Sequence, residues 1–146
     1  TIALAITAAE TGVQVLATLH TCGAARSIDR ILNVFPPRRQ DQVRAMLADS
    51  LRMVISQQLC RTSDGTGRRL AAEIMVNTPA AAAIIRSGQS HKLTSVIQSG
   101  ARHGMQNLDA VLRDLVQQGV ITATEAQHRA LDRTLFDRMI VAKEAA

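Results

Sequence analysis

VQVLATLHT, residues 13–21, is the stretch from which the rest of this 146-residue chain takes its meaning. Val13, Val15, Leu16, Ala17 and Leu19 form a short apolar run that stops at His20-Thr21, and Cys22-Gly23 then lead into a helical pattern. A short apolar run bounded by turn residues is consistent with a buried strand, so the segment predicts strand, polar turn and helix. In an open α/β sheet, ligands lie just beyond the carboxyl ends of the strands, which puts His20 where such a protein keeps its chemistry. An imidazole there hydrogen-bonds a phosphate oxygen, or senses one near neutral pH. The competing reading is a histidine that merely satisfies a strand end.

Upstream, Ile2, Leu4, Ala5, Ala8 and Ala9 read as the end of a helix closed by Gly12. No cap precedes it, so the chain reads as starting inside an element, as an excised piece would. Downstream, Ala24, Ile28, Ile31 and Leu32 make the apolar stripe of a helix over 24–34. Pro36-Pro37 stops it and opens the next, over about 39–53, where Val43, Met46, Leu47, Leu51 and Val54 keep the helical period. Residues 55–62 and 68–76 read as two strands around an Asp64-Gly65 turn, a β-hairpin.

The remainder reads as helices. Thr78-Pro79 is an N-cap followed by proline at the first helical position, for a helix over 80–86 that ends at Gly88. Ser90 is expected to cap a helix over 91–99, closed by Gly100, and Asn107 caps the stripe Leu108, Val111, Leu112, Leu115 and Val116, which Gly119 ends. Thr122 and Glu125 form a capping-box pattern for a last helix with the apolar face Leu131, Leu135, Phe136, Met139 and Ile140.

Composition narrows the function classes. Phe35 and Phe136 are the only aromatics, so the core must be aliphatic and the base-stacking platforms of single-strand binders are missing. The net charge of +5 suits an anionic partner, but arginines mostly stand beside acids, as in Asp29-Arg30 and Asp132-Arg133, which reads as solvated helix faces. A basic nucleic-acid-binding domain is therefore a distant third reading. Cys22 and Cys60 form neither a CxxC pair nor a disulfide framework, and His91, His103 and His128 lack metal-ligand spacing, so no metal site is expected. Cys22 follows His20 near a helix N-terminus, where a thiol can be reactive. No run approaches the ~20 apolar residues of a membrane span, and no signal peptide is recognisable; the chain reads as cytosolic.

Seven blocks, in order along nearly the whole chain, resemble the motor domain of type IV pilus retraction ATPases, the PilT family in the secretion-ATPase branch of RecA-like P-loop enzymes. They are AAETG (8–12), TLHT (18–21), AARSIDRILNVFP (24–36), ISQQL (55–59), GRRLAAEIM (67–75), TPA (78–80) and GMQNLD (104–109). The final helix is similar only in pattern. TLHT resembles the family's His box, which implies a catalytic role for His20 facing the γ-phosphate. The resemblance also implies nucleotide or domain-interface positions for Glu10, Thr11, Thr18 and Thr21. Thr11 has the alternative of bonding its own helix backbone, and Glu10, an acid in a helix's last turn, has that of a solvated exception. Cys22 stands where the family has Ser. Type II secretion ATPases carry a four-cysteine zinc module in this region, and its absence favours the pilus branch.

The implied fold is α/β: the C-terminal part of a RecA-like P-loop NTPase domain, mostly helical, with a β-hairpin. Residues 1–76 would be a partial ATPase core and residues 77–146 a helical C-terminal subdomain, packed as one unit. The implied function is a motor-domain fragment of a hexameric ATPase powering pilus retraction, with hydrolysis coupled to domain rotation. ATP and Mg²⁺ would bind in the full-length parent but not to this piece alone, since neither GxxxxGK[ST] nor a Walker B acid occurs in it. The implied partners are five further copies in a homo-hexamer and the pilus inner-membrane platform protein, at the cytoplasmic face of the membrane, with no nucleic acid and no membrane insertion. Residues 80–87 occupy the place of the family's AIRNLIRE retraction motif: Ala80, Ile85 and Arg86 match, Ala81 and Ile84 replace its first Ile and its Leu, and Ala82, Ala83 and Ser87 replace its Arg, Asn and Glu. That loss of polar groups keeps an alternative open, a non-catalytic interaction module or an accessory paralogue.

Overall fold

The computed structural model describes residues 1–137 and 139–140; position 138 and the last six residues of the expected helical subdomain lie outside the described residues. Seven α-helices are described: α1 (Ile2–Glu10), α2 (Ala24–Leu32), α3 (Pro37–Ser50), α4 (Pro79–Arg86), α5 (Leu93–Ser99), α6 (Leu108–Gln117) and α7 (Ala123–Arg129). Between α3 and α4 lie β1 (Met53–Arg61) and β2 (Arg68–Val76), which pair antiparallel from Met53 opposite Val76 to Arg61 opposite Arg68.

Local chemistry explains most of these boundaries. Pro37 opens α3, and the Thr78 and Asn107 side chains accept from the Ala81 and Ala110 amides to cap α4 and α6. At the hairpin turn, Asp64 accepts from the Thr62 hydroxyl (2.6 Å) and from the Thr66 amide (3.0 Å) and hydroxyl (2.8 Å), bonds that hold its carboxyl down at about 2. The Asn77 side-chain amide donates to the Ala48 and Leu51 carbonyls, both at 2.9 Å, pinning the end of the hairpin to the end of α3.

Two apolar clusters hold the elements together. The larger gathers Ile28, Leu32, Val43, Leu47, Met75, Ala81, Ile85, Leu93 and Ile97, so it draws on helices before and after the hairpin. The smaller contains Cys60, Ala71, Leu108, Leu112, Leu115, Ile121, Ala126 and Phe136. The hairpin belongs to both because the two ends of its inward face meet different helices, Met75 at one end and Cys60 and Ala71 toward the other.

Four expectations are corrected. The helix expected over about 39–53 ends at Ser50, and Met53 and Val54 stand instead in β1, because Val54 pairs with Met75 across the hairpin. The buried strand expected from the apolar run over 13–19 is not formed: the segment joins no ladder among the described residues, and Val13 is 56% and Leu16 89% exposed. Strand geometry persists where a neighbour takes up its backbone groups, and neither β1 nor β2 offers an edge to this segment. Ser90 does not cap a helix over 91–99; it opens a 3₁₀ turn (Ser90–Lys92), and its hydroxyl donates to Asp29 instead. The last helix is interrupted: α7 stops at Arg129, a 3₁₀ turn (Arg133–Phe136) follows, Phe136 is buried, and Leu135 faces solvent. The reason lies in Asp109, whose carboxylate accepts the Leu131 and Asp132 amides (2.8 and 3.1 Å) and so removes them from a continuing helix.

Candidate functional site

The segment that carries the expected site leaves α1 at Thr11 and re-enters regular structure at α2. Thr11 donates its hydroxyl to the Ala8 carbonyl at 2.8 Å, the local backbone bond open to it from sequence. Glu10, Thr18 and His20 are exposed. Thr21 is half-buried, and its hydroxyl lies 2.8 Å from that of Ser27. His20 ends an exposed, mostly apolar segment, which leaves the imidazole free to meet a ligand arriving from outside this chain. Among the described residues no cluster of His, Cys, Asp or Glu is arranged to hold a metal ion.

Immediately after His20 the exposed segment becomes buried and tightly bonded. Gly23 is the N-cap of α2 at φ +91°, a conformation natural to glycine. It brings no side chain to the four free amides of the helix start, and α2 has no acid in its own first turn. The hairpin supplies both acceptors. Ser56 Oγ of β1 accepts the Gly23 amide at 2.7 Å, and Glu73 Oε1 of β2 accepts the Ala24 amide at 2.7 Å. Ser56 and Glu73 are 5% and 2% exposed. Burial raises the Glu73 carboxyl above the ordinary glutamate range; the Ala24 amide pulls it back, and the nearby Asp109 pushes it up. Gln58 also reaches across from β1, its amide donating to the Cys22 sulfur at 2.8 Å.

Sequence reasoning missed Ser56, Gln58 and Glu73. The signal was present, because Ser56, Gln58 and Cys60 share one face of β1 by strand alternation and Glu73 is opposite Ser56 in the hairpin register. A polar pair on the face that must turn inward points to a buried partner, though only the fold identifies it as the start of α2.

Residues 80–86 lie in α4 and Ser87 is its C-cap, with Ala81 and Ile85 buried, Ala82 and Ile84 half-buried, and Ala80, Ala83, Arg86 and Ser87 exposed. Arg86 pairs with Asp49 of α3, and the Ser87 hydroxyl donates to the Ile84 carbonyl. Thr78 and Ala80 line an open depression together with Ser99, Arg102, His103 and Met105. The motif position and the His20 segment are thus separate surfaces, joined through α2, α3 and the larger apolar cluster.

A family model described as type II/IV secretion system protein matches residues 1–129. A twitching motility protein of Neisseria gonorrhoeae is 48% identical over 130 residues, 89% of this chain and 35% of that protein. The type IV pilus retraction ATPase PilT of Pseudomonas aeruginosa is also 48% identical over 130 residues, 89% of this chain and 38% of that one. The crystal structure of the pilus retraction motor PilT with bound ADP superposes with a TM-score of 0.83 at 36% identity, covering 94% of this chain and 38% of that chain. The chain therefore spans little more than a third of the length of the relatives it matches.

Proposed function

We propose, from the premise that this chain belongs to the type II/IV secretion system protein family, that it is the C-terminal part of the motor domain of a hexameric ATPase that powers type IV pilus retraction. One observation carries this reading: 48% identity over 130 residues to two pilus-motility proteins, in a fold that superposes on an ADP-bound retraction motor. In the longer parent, ATP and Mg²⁺ occupy a site to which this chain contributes His20, with Glu10, Thr11, Thr18 and Thr21 on the nucleotide or domain-interface side. His20 suits that part because it is exposed only three residues before an exit that is anchored in the fold.

The phosphate cradle is assigned to the parent outside these 146 residues, which contain no GxxxxGK[ST]. Residues 1–76 act as the partial ATPase core and residues 77–146 as the helical subdomain, and α4 stands at the retraction-motif position with Ala82, Ala83 and Ser87 in place of the motif's Arg, Asn and Glu. The working assembly is a homo-hexamer acting on the pilus platform protein from the cytoplasmic side. No described helix is long and apolar enough to cross a membrane.

The test has two arms. The parent protein, purified with its preceding residues, is expected to hydrolyse Mg-ATP and to restore twitching in a retraction-deficient strain; a parent without ATPase activity overturns the reading. The isolated chain is expected to show at most very weak Mg-ATP binding by calorimetry. Micromolar affinity would mean that the phosphate site lies within these residues after all.

A further inference from the structure

We infer that Glu73 and Ser56 are positioning residues that hold the exit of the His20 segment and tie it, through β2, to the start of α6. The catalytic consequence rests on the function proposed above; the mechanical part rests on the geometry alone.

A helix whose N-cap is glycine and whose first turn carries no acid leaves its amides without partners from its own sequence. In α2 those partners come from 33 and 49 residues away: Ser56 takes the Gly23 amide and Glu73 the Ala24 amide. A carboxylate at a helix N-terminus is favourably placed against the helix dipole, and both acceptors are almost wholly removed from water. The chain cannot shift at Gly23, three residues after His20, without breaking two buried hydrogen bonds or dragging the hairpin with it. A side chain at Gly23 would also lie 3.5 Å from Glu73 Oε1 and 3.6 Å from a Leu131 methyl, so the exit is packed as well as bonded.

The strand that holds Glu73 is itself gripped from its other edge. Ile74 and Gln106 exchange both backbone bonds (2.8 and 2.9 Å), and the Gln106 side-chain amide donates to the Ala72 carbonyl at 2.7 Å. Gln106 immediately precedes Asn107, the N-cap of α6. Residues 72–74 are therefore a strut: its side chain at 73 faces the His20 segment and its backbone edge carries the entry to α6. A displacement imposed on His20 by a phosphate arriving or leaving reaches α6 through groups already in hydrogen-bond contact.

The experiment uses Ser56→Ala, Glu73→Ala and Glu73→Gln, the last keeping an acceptor oxygen at Oε1. Amide hydrogen exchange on the 146-residue chain should show Gly23 in Ser56→Ala and Ala24 in Glu73→Ala exchanging roughly ten-fold faster, the scale of a lost cap. Ile74 and Gln106 should stay protected, and Glu73→Gln should return Ala24 to wild-type exchange. Unchanged Gly23 and Ala24 exchange in variants that melt normally overturns the inference. Should Glu73→Ala fail to fold, Ser56→Ala, which removes one hydroxyl, decides it. In the parent enzyme, Ser56→Ala should lower kcat with KM for ATP unchanged, Glu73→Ala should do the same, and Glu73→Gln should restore turnover. Normal kcat in a variant whose Gly23 or Ala24 amide has loosened overturns the positioning role. A wild-type parent with no ATPase activity refutes the proposed function instead, and the exchange data then decide by themselves whether these residues hold the segment.

Discussion

His20 and Glu73 are opposite kinds of residue, and their substitutions separate accordingly. His20 is exposed and makes no hydrogen bond among the described residues, so His20→Ala should leave the melting temperature unchanged. In the parent, turnover should fall about ten- to a thousand-fold, the scale for deleting one positioned polar contact in an active site. Turnover and melting measured on one preparation check this; unchanged turnover would make His20 a bystander. Glu73 is buried, and Glu73→Ala leaves the Ala24 amide without its acceptor, at a cost of about 1–3 kcal/mol in chemical denaturation. Its raised carboxyl sets a pH dependence. The folded state holds the proton to higher pH than the unfolded chain does. The contribution of Glu73 to stability is thus fullest below the unfolded-state value and declines as pH rises through the folded value. Subtracting the stability of Glu73→Gln from that of wild type across pH 4–8 should give a difference that falls with pH; a rising difference would contradict the burial argument.

Among the elements, α6 shows how far a stripe predicts packing. Leu108 and Leu112 are fully buried and Leu115 nearly so, in the smaller apolar cluster. Leu112→Ala should cost about 2–5 kcal/mol in urea or guanidinium unfolding. Gly100, which closes α5, has a role its sequence position does not reveal. A Cβ there would lie 2.4 Å from Met105 Sδ and 2.8 Å from the Val96 carbonyl oxygen. The thioether can swing aside, whereas the helix carbonyl cannot, so Gly100→Ala should destabilise by about 1–3 kcal/mol by overpacking. An unchanged midpoint would show that α5 gives way instead. The capping pattern at Thr122 and Glu125 is half realised: Thr122 accepts the Glu125 amide, but the Glu125 carboxylate turns to the Arg61 amide and to Arg129.

At the scale of the molecule, apolar side chains remain outside both clusters. Leu4 and Leu16 are largely exposed, and Met53, Ile55, Leu59 and Leu70 present a half-exposed apolar face on the hairpin. Contiguous exposed apolar surface favours association, so the isolated chain should self-associate as its concentration rises. Leu16→Lys should reduce that association in light scattering while changing stability by no more than about 0.5 kcal/mol, as expected for an exposed position. A large loss of stability would mean that Leu16 is packed in solution.

Much of this protein was legible in one dimension. Prolines and capping residues start α3, α4 and α6 through bonds that span three residues or fewer, and the helical stripes and the hairpin follow from side-chain period. The ordered blocks from AAETG to GMQNLD named the family for the same reason, since they are local strings. The structure alone decided what depends on distant partners. The run over 13–19 is as apolar as a buried strand but finds no ladder here, because a strand is a property of a pair. The helix expected through Leu135 breaks because Asp109, 22 residues earlier, takes the amides that would have continued it. The start of α2 is held by Ser56 and Glu73 because folding brings the inward face of the hairpin against a helix end that has no cap of its own.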